Sequence, residues 1–305
     1  MKERLDRVLA RLEHFRATRL ERNPSFLDAA FSLSDDEIDT TLVAHRPPPL
    51  LFGTFSEERV MADLERCGII ARCLSLGYRD LRAEFSGRDA FETRFGLLGD
   101  HPELDAPGRL LDIRTHQGEL RAMNPLEDDE EICVRALLLD WISMEDPAHP
   151  LSTETPSLPG QRHPGLGLFR DAYRLTLGYL RQTDFDGVVN VPEHFHNAVL
   201  YGRDFAFFSP QRQGSFLAMK RDLLKLGLAR ASRALSPSAQ PATPDTEGVE
   251  LVEQTNRVQW TPAEQVLALR APLRRIVDDP RYHAIVDQAR AANHYRLRAC
   301  AQNQG

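Results

Sequence analysis

The chain has 305 residues, of which 42 % are hydrophobic and 27 % are charged, a composition typical of a globular protein with a buried core. Its formal net charge of −7 argues against a general nucleic-acid binder, which needs a basic surface. The first residues are charged and amphipathic, unlike a secretion signal, and no apolar run approaches the roughly 18 residues of a membrane span. We therefore expect a soluble, cytoplasmic protein without nucleic-acid or membrane partners, and the oligomeric state stays open.

The cysteines are scattered through the sequence and form no C-x-x-C pair: Cys67, Cys73, Cys133 and Cys300. This spacing predicts reduced, mostly buried thiols and no zinc site built from them.

Residues 1–75 are predicted to form an N-terminal helical extension. Apolar residues recur at helical spacing from Leu5 to Phe15, and the triple proline at 47–49 indicates a stiff connector. Ser56 is a predicted N-cap, because acidic residues follow it in the first turn. Apolar positions from Val60 to Ala71 then continue an amphipathic helix.

The next segment alternates between apolar and polar residues, as half-buried strands do. Residues 81–85 and 91–95 are predicted to pair as antiparallel strands, 110–114 as a third strand, and Gln117-Gly118 as a turn. Residues 134–144 are apolar at nearly every position and should form a central strand. Asp140 interrupts this strand, so it is either hydrogen-bonded for structural reasons or a tuned acid or base.

The stretch from 162 to 208 contains more recognisable motifs than any other part of the sequence. It opens with Arg162-His163-Pro164-Gly165-Leu166-Gly167, followed by apolar residues at helical spacing from Leu168 to Tyr179. The two glycines therefore precede a helix, where free N–H groups and the helix dipole attract an anion such as pyrophosphate. A simple Pro-Gly turn is the alternative. A valine-rich strand (188–191), a short helix (195–203) and a strand around Phe205 and Phe207 follow.

The last third is predicted to be mainly helical. Residues 214–228 form a helix, 232–248 a flexible linker, and 249–305 a helical region that packs on the core. Within that region, 258–260 is a predicted strand. Thr261 to Glu264 resembles a capping box that starts a helix through Val266 and Ile276, and 282–298 is the final helix.

The order of turn, helix, strand and N-A-x-L-Y-x-x-x-F resembles the core of the GNAT superfamily of acyltransferases, over roughly 134–208. The resemblance implies a mixed, mostly antiparallel α/β (α+β) sheet flanked by helices, with the core at 76–231. In this superfamily the glycine turn holds the pyrophosphate of acetyl-CoA. The strand before the turn splays from the strand after the helix, and the pantetheine arm lies in that gap. A later tyrosine commonly protonates the departing thiolate.

Carried over by position, the resemblance implies an enzyme that transfers an acyl group from acyl-CoA, or another carrier thioester, to a small-molecule or protein amine. The cofactor-binding residues are then Arg162, Gly165, Leu166, Gly167, Leu168 and Asn197, with acetyl-CoA or another acyl-CoA as co-substrate and no metal. Tyr201 is the predicted acid. Glu193 and Asp140 are equal candidates for the base, and His194 and His196 for the acceptor site.

Three alternatives stay open at this point. Pro164 removes one N–H donor from the turn, and a proline-rich insertion from Asp146 to Gly160 precedes it, which favours a non-catalytic binding or assembly module. A metal-dependent enzyme using His163, His194 and His196 is the second alternative. An anionic acceptor recognised by arginines is the third, with the candidates Arg46, Arg162 and Arg203.

Overall fold

The structure is a computed structural model, which describes residues 15–16, 50–87, 91–152, 157–236, 248–252 and 256–298. The predicted helix at the N-terminus, Arg46, Cys300 and most of the predicted linker lie outside these ranges. Cys67, Cys73 and Cys133 are free thiols. No helix within the described ranges is both long and apolar enough to cross a membrane.

The main sheet has the mixed, mostly antiparallel α/β architecture that the sequence predicts. Its strands lie in the order β2-β3-β4-β5-β6-β10-β7, and β1 joins β4 at one end. Among the strands that the structure describes, only β5 and β6 pair in parallel. The strands are β1 (Phe15–Arg16), β2 (Arg79–Ser86), β3 (Glu92–Asp100), β4 (Gly108–Met123), β5 (Glu131–Met144), β6 (Gly187–Asn190), β7 (Ala206–Phe207) and β10 (Gln265–Ala268).

The described residues also form a small sheet and eight α-helices. The small sheet has the order β11-β8-β9, with β8 (Gly248–Leu251), β9 (Asn256–Val258) and β11 (Tyr295–Arg298). The helices are α1 (Glu57–Arg66), α2 (Ile69–Ser75), α3 (Phe169–Leu180), α4 (Phe195–Tyr201), α5 (Pro210–Leu223), α6 (Leu228–Leu235), α7 (Ala271–Val277) and α8 (Pro280–Ala292).

Three apolar clusters hold these layers together. One face of the sheet packs against α1, α2 and α3, and the other face packs against α7 and α8. Successive residues of β5 alternate between the two clusters, since Leu137 faces the first and Leu138 the second. A third cluster joins α4, α5 and α6 to the small sheet. The described parts of both predicted extensions therefore share cores with the sheet.

Several local predictions are confirmed. The strands β2 and β3 pair antiparallel, β5 is central, and α3 and β6 lie where the sequence placed them. Ser56 caps α1 by accepting a hydrogen bond from the N–H of Arg59. The predicted helix through Ala71 is interrupted at Gly68, which has a φ of 76°.

Other local predictions are wrong. Gln117-Gly118 is no turn: both residues lie inside β4, where they pair with Leu137 and Ala136. The first part of the helix predicted to follow Thr261 is instead β10, which inserts between β6 and β7, because a short apolar run does not distinguish a buried strand from a helix. Its second part, with Leu273 and Ile276, is helical as predicted and forms α7. The final helix ends at Ala292, and β11 follows. The C-terminal region is therefore part of both sheets.

Candidate active site

The predicted glycine turn lies against the end of β5. Gly165 forms an isolated antiparallel bridge with Glu145, and the N–H of Asp146 donates to the carbonyl of Pro164 over 2.8 Å. Gly167 has a φ of +76°, a conformation that glycine adopts without steric cost. The insertion between β5 and the turn thus loops out and returns, so the turn directly follows the strand in space.

The helix after this turn has an open N-terminus. Four α-helices in the described ranges have ten or more residues, and side chains cap three of them: Ser56 on α1, Ser209 on α5 and Asp279 on α8. At α3 the N-cap residue is Leu168, with no side-chain cap. No described hydrogen bond uses the N–H groups of Gly167 or Phe169. These groups and the positive end of the helix dipole are available to an anion.

Basic side chains surround the turn. Arg162 and Arg170 are exposed on either side of it, and Arg72 reaches it from α2 by donating from Nε to the carbonyl of Leu166 over 3.4 Å. Leu166 itself is buried and anchors the turn to the core. Three arginines thus lie around this end of α3, together with the carboxylate of Asp171 in its first turn.

The edge of β5 that faces β6 extends past the end of β6 towards the turn, and we call the site beside this extension the gap. The two parallel strands pair over only four residues each, from Ala136 with Gly187 to Leu139 with Asn190. β6 then ends, whereas β5 continues to Met144. Asp140 lies at this point and forms a β-bulge in β5. Leu139 pairs with Thr115 and Trp141 with Arg114, which are neighbours in β4, so Asp140 is left out of the register between the two strands.

The last residue of β6 is an unpaired buried amide. Asn190 is only 3 % exposed, and neither its Oδ1 nor its Nδ2 has a hydrogen-bond partner among the described residues. Its neighbour across the strands is Gln265, whose Nε2 donates to the carbonyl of Ala198 in α4 over 3.4 Å. Residues directly opposite each other share a face of the sheet, so Asn190 lies on the α4 side of the gap.

Asp140 is paired through only one of its two oxygens. Its side chain is 6 % exposed, and Oδ2 forms a short contact with Nδ1 of His116 on β4. The other imidazole nitrogen of His116 lies 3.9 Å from Oε2 of Glu92 on β3. Oδ1 of Asp140 is buried and accepts no described hydrogen bond. The carboxylate is thus held by a histidine, while its other oxygen is buried without a partner among the described residues.

Tyr201 ends α4 next to the start of α3. Its ring centroid lies 6.3 Å from that of Phe169 and 6.0 Å from that of Tyr173. Burial raises the pKa of Tyr201 to about 12, so the hydroxyl stays protonated at neutral pH. None of the hydrogen bonds described for this chain involves that hydroxyl.

His194, the N-cap residue of α4, lies beside His196 of that helix. Their rings stack with centroids 5.3 Å apart, and Nδ1 of His196 lies 2.9 Å from Oγ of Ser232. Burial, with a smaller contribution from His194, lowers the pKa of His196 to about 4. Among the described residues, no three His, Cys, Asp or Glu side chains are grouped to hold a metal ion, so His163 does not complete such a site with them.

The remaining predicted site residues lie nearer the surface. Glu193 is exposed in the loop between β6 and α4, Arg203 is exposed beyond α4, and Asn197 is half-buried in α4. Arg46 is outside the described ranges. The structure thus brings the turn, Tyr201 and the gap together.

Sequence reasoning missed His116 and Asn190. Asn190 interrupts a run of valines just as Asp140 interrupts β5, and this signal could have identified it. His116 could not be found in this way, because its pairing with Asp140 depends on the register between β4 and β5.

A scan of the chain against protein-family models and a search of curated proteins each found no match.

Proposed function

We propose that this protein is an acyltransferase that moves an acyl group from acyl-CoA, or another carrier thioester, to an amine. The observation that carries this proposal is the end of the parallel pairing of β5 and β6 at Leu139 and Asn190, on the same strand that leads to the uncapped N-terminus of α3. The resemblance of residues 134–208 to the GNAT superfamily implies this combination of a strand gap and a glycine turn.

The open N-terminus of α3 suits the pyrophosphate of CoA. Backbone N–H groups and the helix dipole bind phosphate oxygens without any cationic side chain. Gly167 lets a phosphate approach closely, because nothing lies within 4 Å of the position that a Cβ would take there. Arg162 and Arg170 add positive charge at the rim.

The gap suits the amide-bearing arm of the donor. A buried amide without partners costs free energy in the empty protein, and a ligand amide in the gap would satisfy both polar atoms of Asn190. This contact would orient the thioester between Tyr201 on one side and Asp140 on β5. Asn190 is therefore assigned as a donor-binding residue.

The chemistry needs a base for the amine and an acid for the sulfur. Oδ1 of Asp140 takes a proton from the amine, whose nitrogen attacks the thioester carbonyl carbon. The tetrahedral intermediate collapses by breaking the carbon–sulfur bond. The hydroxyl of Tyr201 donates its proton to the departing sulfur. Asp140 then releases to solvent the proton that it took from the amine, and Tyr201 takes up one proton from solvent, so both groups return to their starting states. His116 is a positioning residue that fixes the Asp140 carboxylate.

The test is an assay of free-thiol release from acyl-CoA in the presence of a panel of amines, amino acids and peptides. The proposal predicts amine-dependent release that is lost in Asp140→Asn. CoA binding without release by any amine would favour the non-catalytic binding module, and absence of CoA binding would remove both.

A further inference from the structure

A polar groove, open to solvent, lies between α1 and α3. It contains about 430 Å³ of water-accessible space, within the roughly 300–1,000 Å³ of small-molecule pockets. Its lining includes Arg59, Arg66 and Cys67 on the side of α1, and Arg174 and Gly178 on the side of α3. None of its lining residues belongs to the proposed donor site, so the groove is a separate space.

A buried carboxylate holds two of the arginines in this groove. Asp63 is only 3 % exposed, and its Oδ2 accepts hydrogen bonds from Nε of Arg59 over 2.7 Å and from the hydroxyl of Tyr179 over 2.8 Å. Nη1 of Arg66 forms an ion pair with Oδ1 over 2.7 Å. Burial would raise the pKa of Asp63, but the hydrogen bonds from Arg59 and Tyr179 outweigh it, so the pKa lies below its usual value. One ionised carboxylate therefore positions two guanidinium groups before any ligand binds.

The arginines keep donors for a ligand. Asp63 accepts only from Nε of Arg59, and no hydrogen bond between described residues uses either Nη atom of that arginine. Arg174 lines the opposite side of the groove; its side chain is 69 % exposed, and its Nη1 lies 4.0 Å from Oδ1 of Asp171. The lining thus contains three arginines and two aspartates, and the more buried aspartate is already paired. This arrangement favours an anionic ligand.

A glycine on the α3 side keeps the groove open. Gly178 lies inside α3, where glycine is less stable than alanine. No described atom lies within 4 Å of the position that a Cβ would take there, so packing between the described residues does not require glycine. The space that a side chain would fill belongs to the groove. A ligand in the groove accounts for a glycine that costs helix stability and that packing does not need.

We propose that this groove binds a small organic phosphate monoester. A guanidinium group donates two parallel hydrogen bonds to phosphate oxygens. A phosphate monoester has three terminal oxygens and nearly two negative charges at neutral pH, which matches three arginines better than the two oxygens and single charge of a carboxylate. The groove is larger than a phosphate group, and Leu175 and Gly178 in its lining offer apolar surface to the organic part. This inference is independent of the proposed acyltransferase function.

The test uses Cys67, an exposed thiol in the lining of the groove, to report on occupancy. The full chain is alkylated with iodoacetamide at increasing concentrations of phenyl phosphate, and mass spectrometry follows the labelling of each cysteine. At ten times its Kd, phenyl phosphate should slow alkylation of Cys67 about tenfold, because about nine-tenths of the molecules then have an occupied groove. Cys133 is an exposed thiol of β5 outside the groove, and its alkylation rate should not change.

Three variants locate the ligand, each compared with and without phenyl phosphate. Arg174→Gln should raise the concentration that gives half-maximal protection of Cys67 by roughly tenfold, because it removes a charged donor. The matched control is Arg275→Gln, which removes an exposed arginine of α7 and should leave the protection unchanged. Gly178→Leu, whose side chain would enter the groove, should lose the protection and unfold at a higher temperature, because leucine is the better helix former.

Three results would overturn the proposal. The first is no protection of Cys67, or equal slowing of alkylation at Cys67 and Cys133. The second is full protection of Cys67 in Arg174→Gln, which would show that the arginines do not form the site. The third is equal protection by benzoate, which would replace the phosphate with anions in general. Each of these results leaves the acyltransferase proposal standing, because that proposal is tested by CoA binding and thiol release.

Discussion

Two buried aspartates at the end of β5 differ in how their oxygens are paired. Asp146 receives a hydrogen bond from the hydroxyl of Tyr78 on Oδ1, over 2.7 Å, and has Nδ1 of His149 2.9 Å from Oδ2. Asp140, six residues earlier, is paired only through Oδ2, with His116. Both oxygens of Asp146 are thus paired, whereas Oδ1 of Asp140 is buried and has no hydrogen-bond partner among the described residues.

The difference distinguishes a carboxylate that is hydrogen-bonded through both oxygens from the proposed base, Asp140. Burial would raise the pKa of Asp146, but the hydrogen bonds from His149 and Tyr78 outweigh it, so the pKa lies below its usual value. That stabilisation is present above the pKa of about 3.9 of an unfolded aspartate and is lost as pH falls through the folded pKa. A buried oxygen without a partner, as at Asp140, costs stability and is kept where function uses it.

The largest predicted effect is the loss of turnover in Asp140→Asn, with Asp146→Asn as its matched comparison. Asp140→Asn removes the proposed base and should lower turnover by about 10²–10⁴-fold, while the free energy of unfolding changes by less than about 1 kcal/mol. Asp146→Asn should leave the chemical step intact and destabilise the fold by about 2 kcal/mol, because it weakens hydrogen bonds to a charged group. Thiol release and urea unfolding measure the two effects, and equal losses of turnover would contradict the distinction.

A buried histidine provides a second test, through the pH dependence of the free energy of unfolding. The pKa of His196 falls to about 4 in the fold, from a value near 6.5 in the unfolded chain. The unfolded state therefore binds more protons between these pH values, and stability should fall by on the order of 3 kcal/mol from about pH 6.5 to about pH 4. Urea titrations at several pH values test this. In His196→Gln the fall should be smaller, and a flat wild-type profile would contradict the buried, neutral state of His196.

Two tyrosines sharpen the contrast between paired and unpaired hydroxyls. Tyr201→Phe should lower kcat by about 10²-fold with little change in KM, because its hydroxyl acts on the departing sulfur. Tyr173→Phe removes a hydroxyl bound to Asp204 and should cost about 1 kcal/mol of stability with a smaller effect on kcat. Steady-state kinetics and thermal unfolding distinguish the pair, and an unchanged kcat in Tyr201→Phe would remove its catalytic role.

Substitution of Asn190 should have the smallest effect, and it should stabilise the fold while it weakens CoA binding. Asn190→Leu removes two unpaired buried atoms and should raise the free energy of unfolding by about 1 kcal/mol, while CoA affinity falls roughly tenfold. The control is Asn293→Leu, since Nδ2 of Asn293 donates to the carbonyl of Ala289 over 2.8 Å. That variant should lose stability and keep its CoA affinity. A destabilised Asn190→Leu would show that the amide is structural.

Local sequence patterns predicted the elements that position the site. The apolar run of β5, the helical spacing of α3 and the glycines between them each specify structure within a few residues. The position of Asp140 within an apolar run also indicated that its carboxylate needs a hydrogen-bond partner or has a function. Such features depend on neighbours in the chain, which a single sequence displays.

The predictions that were wrong or missing concern residues whose structure depends on partners far away in the sequence. Val266 and Leu267 have the same apolar character in a helix as in a strand, and only their partners in β6 and β7 make them β10. The contact of His116 with Asp140 requires the bulge between β4 and β5, which no local pattern encodes. The lack of partners for Asn190 is likewise a property of the folded neighbourhood.

The most direct test of the donor site is calorimetric titration of CoA into the wild type, Gly167→Asp and Gly68→Asp. Both glycines have a φ of +76°, and at both of them nothing lies within 4 Å of the position that a Cβ would take, so the two variants strain the backbone alike. Only Gly167→Asp adds negative charge where the pyrophosphate should bind. The account predicts that CoA binds the wild type and Gly68→Asp equally, and Gly167→Asp at least about a hundredfold more weakly. Equal binding by all three proteins, or no binding by the wild type, would contradict it.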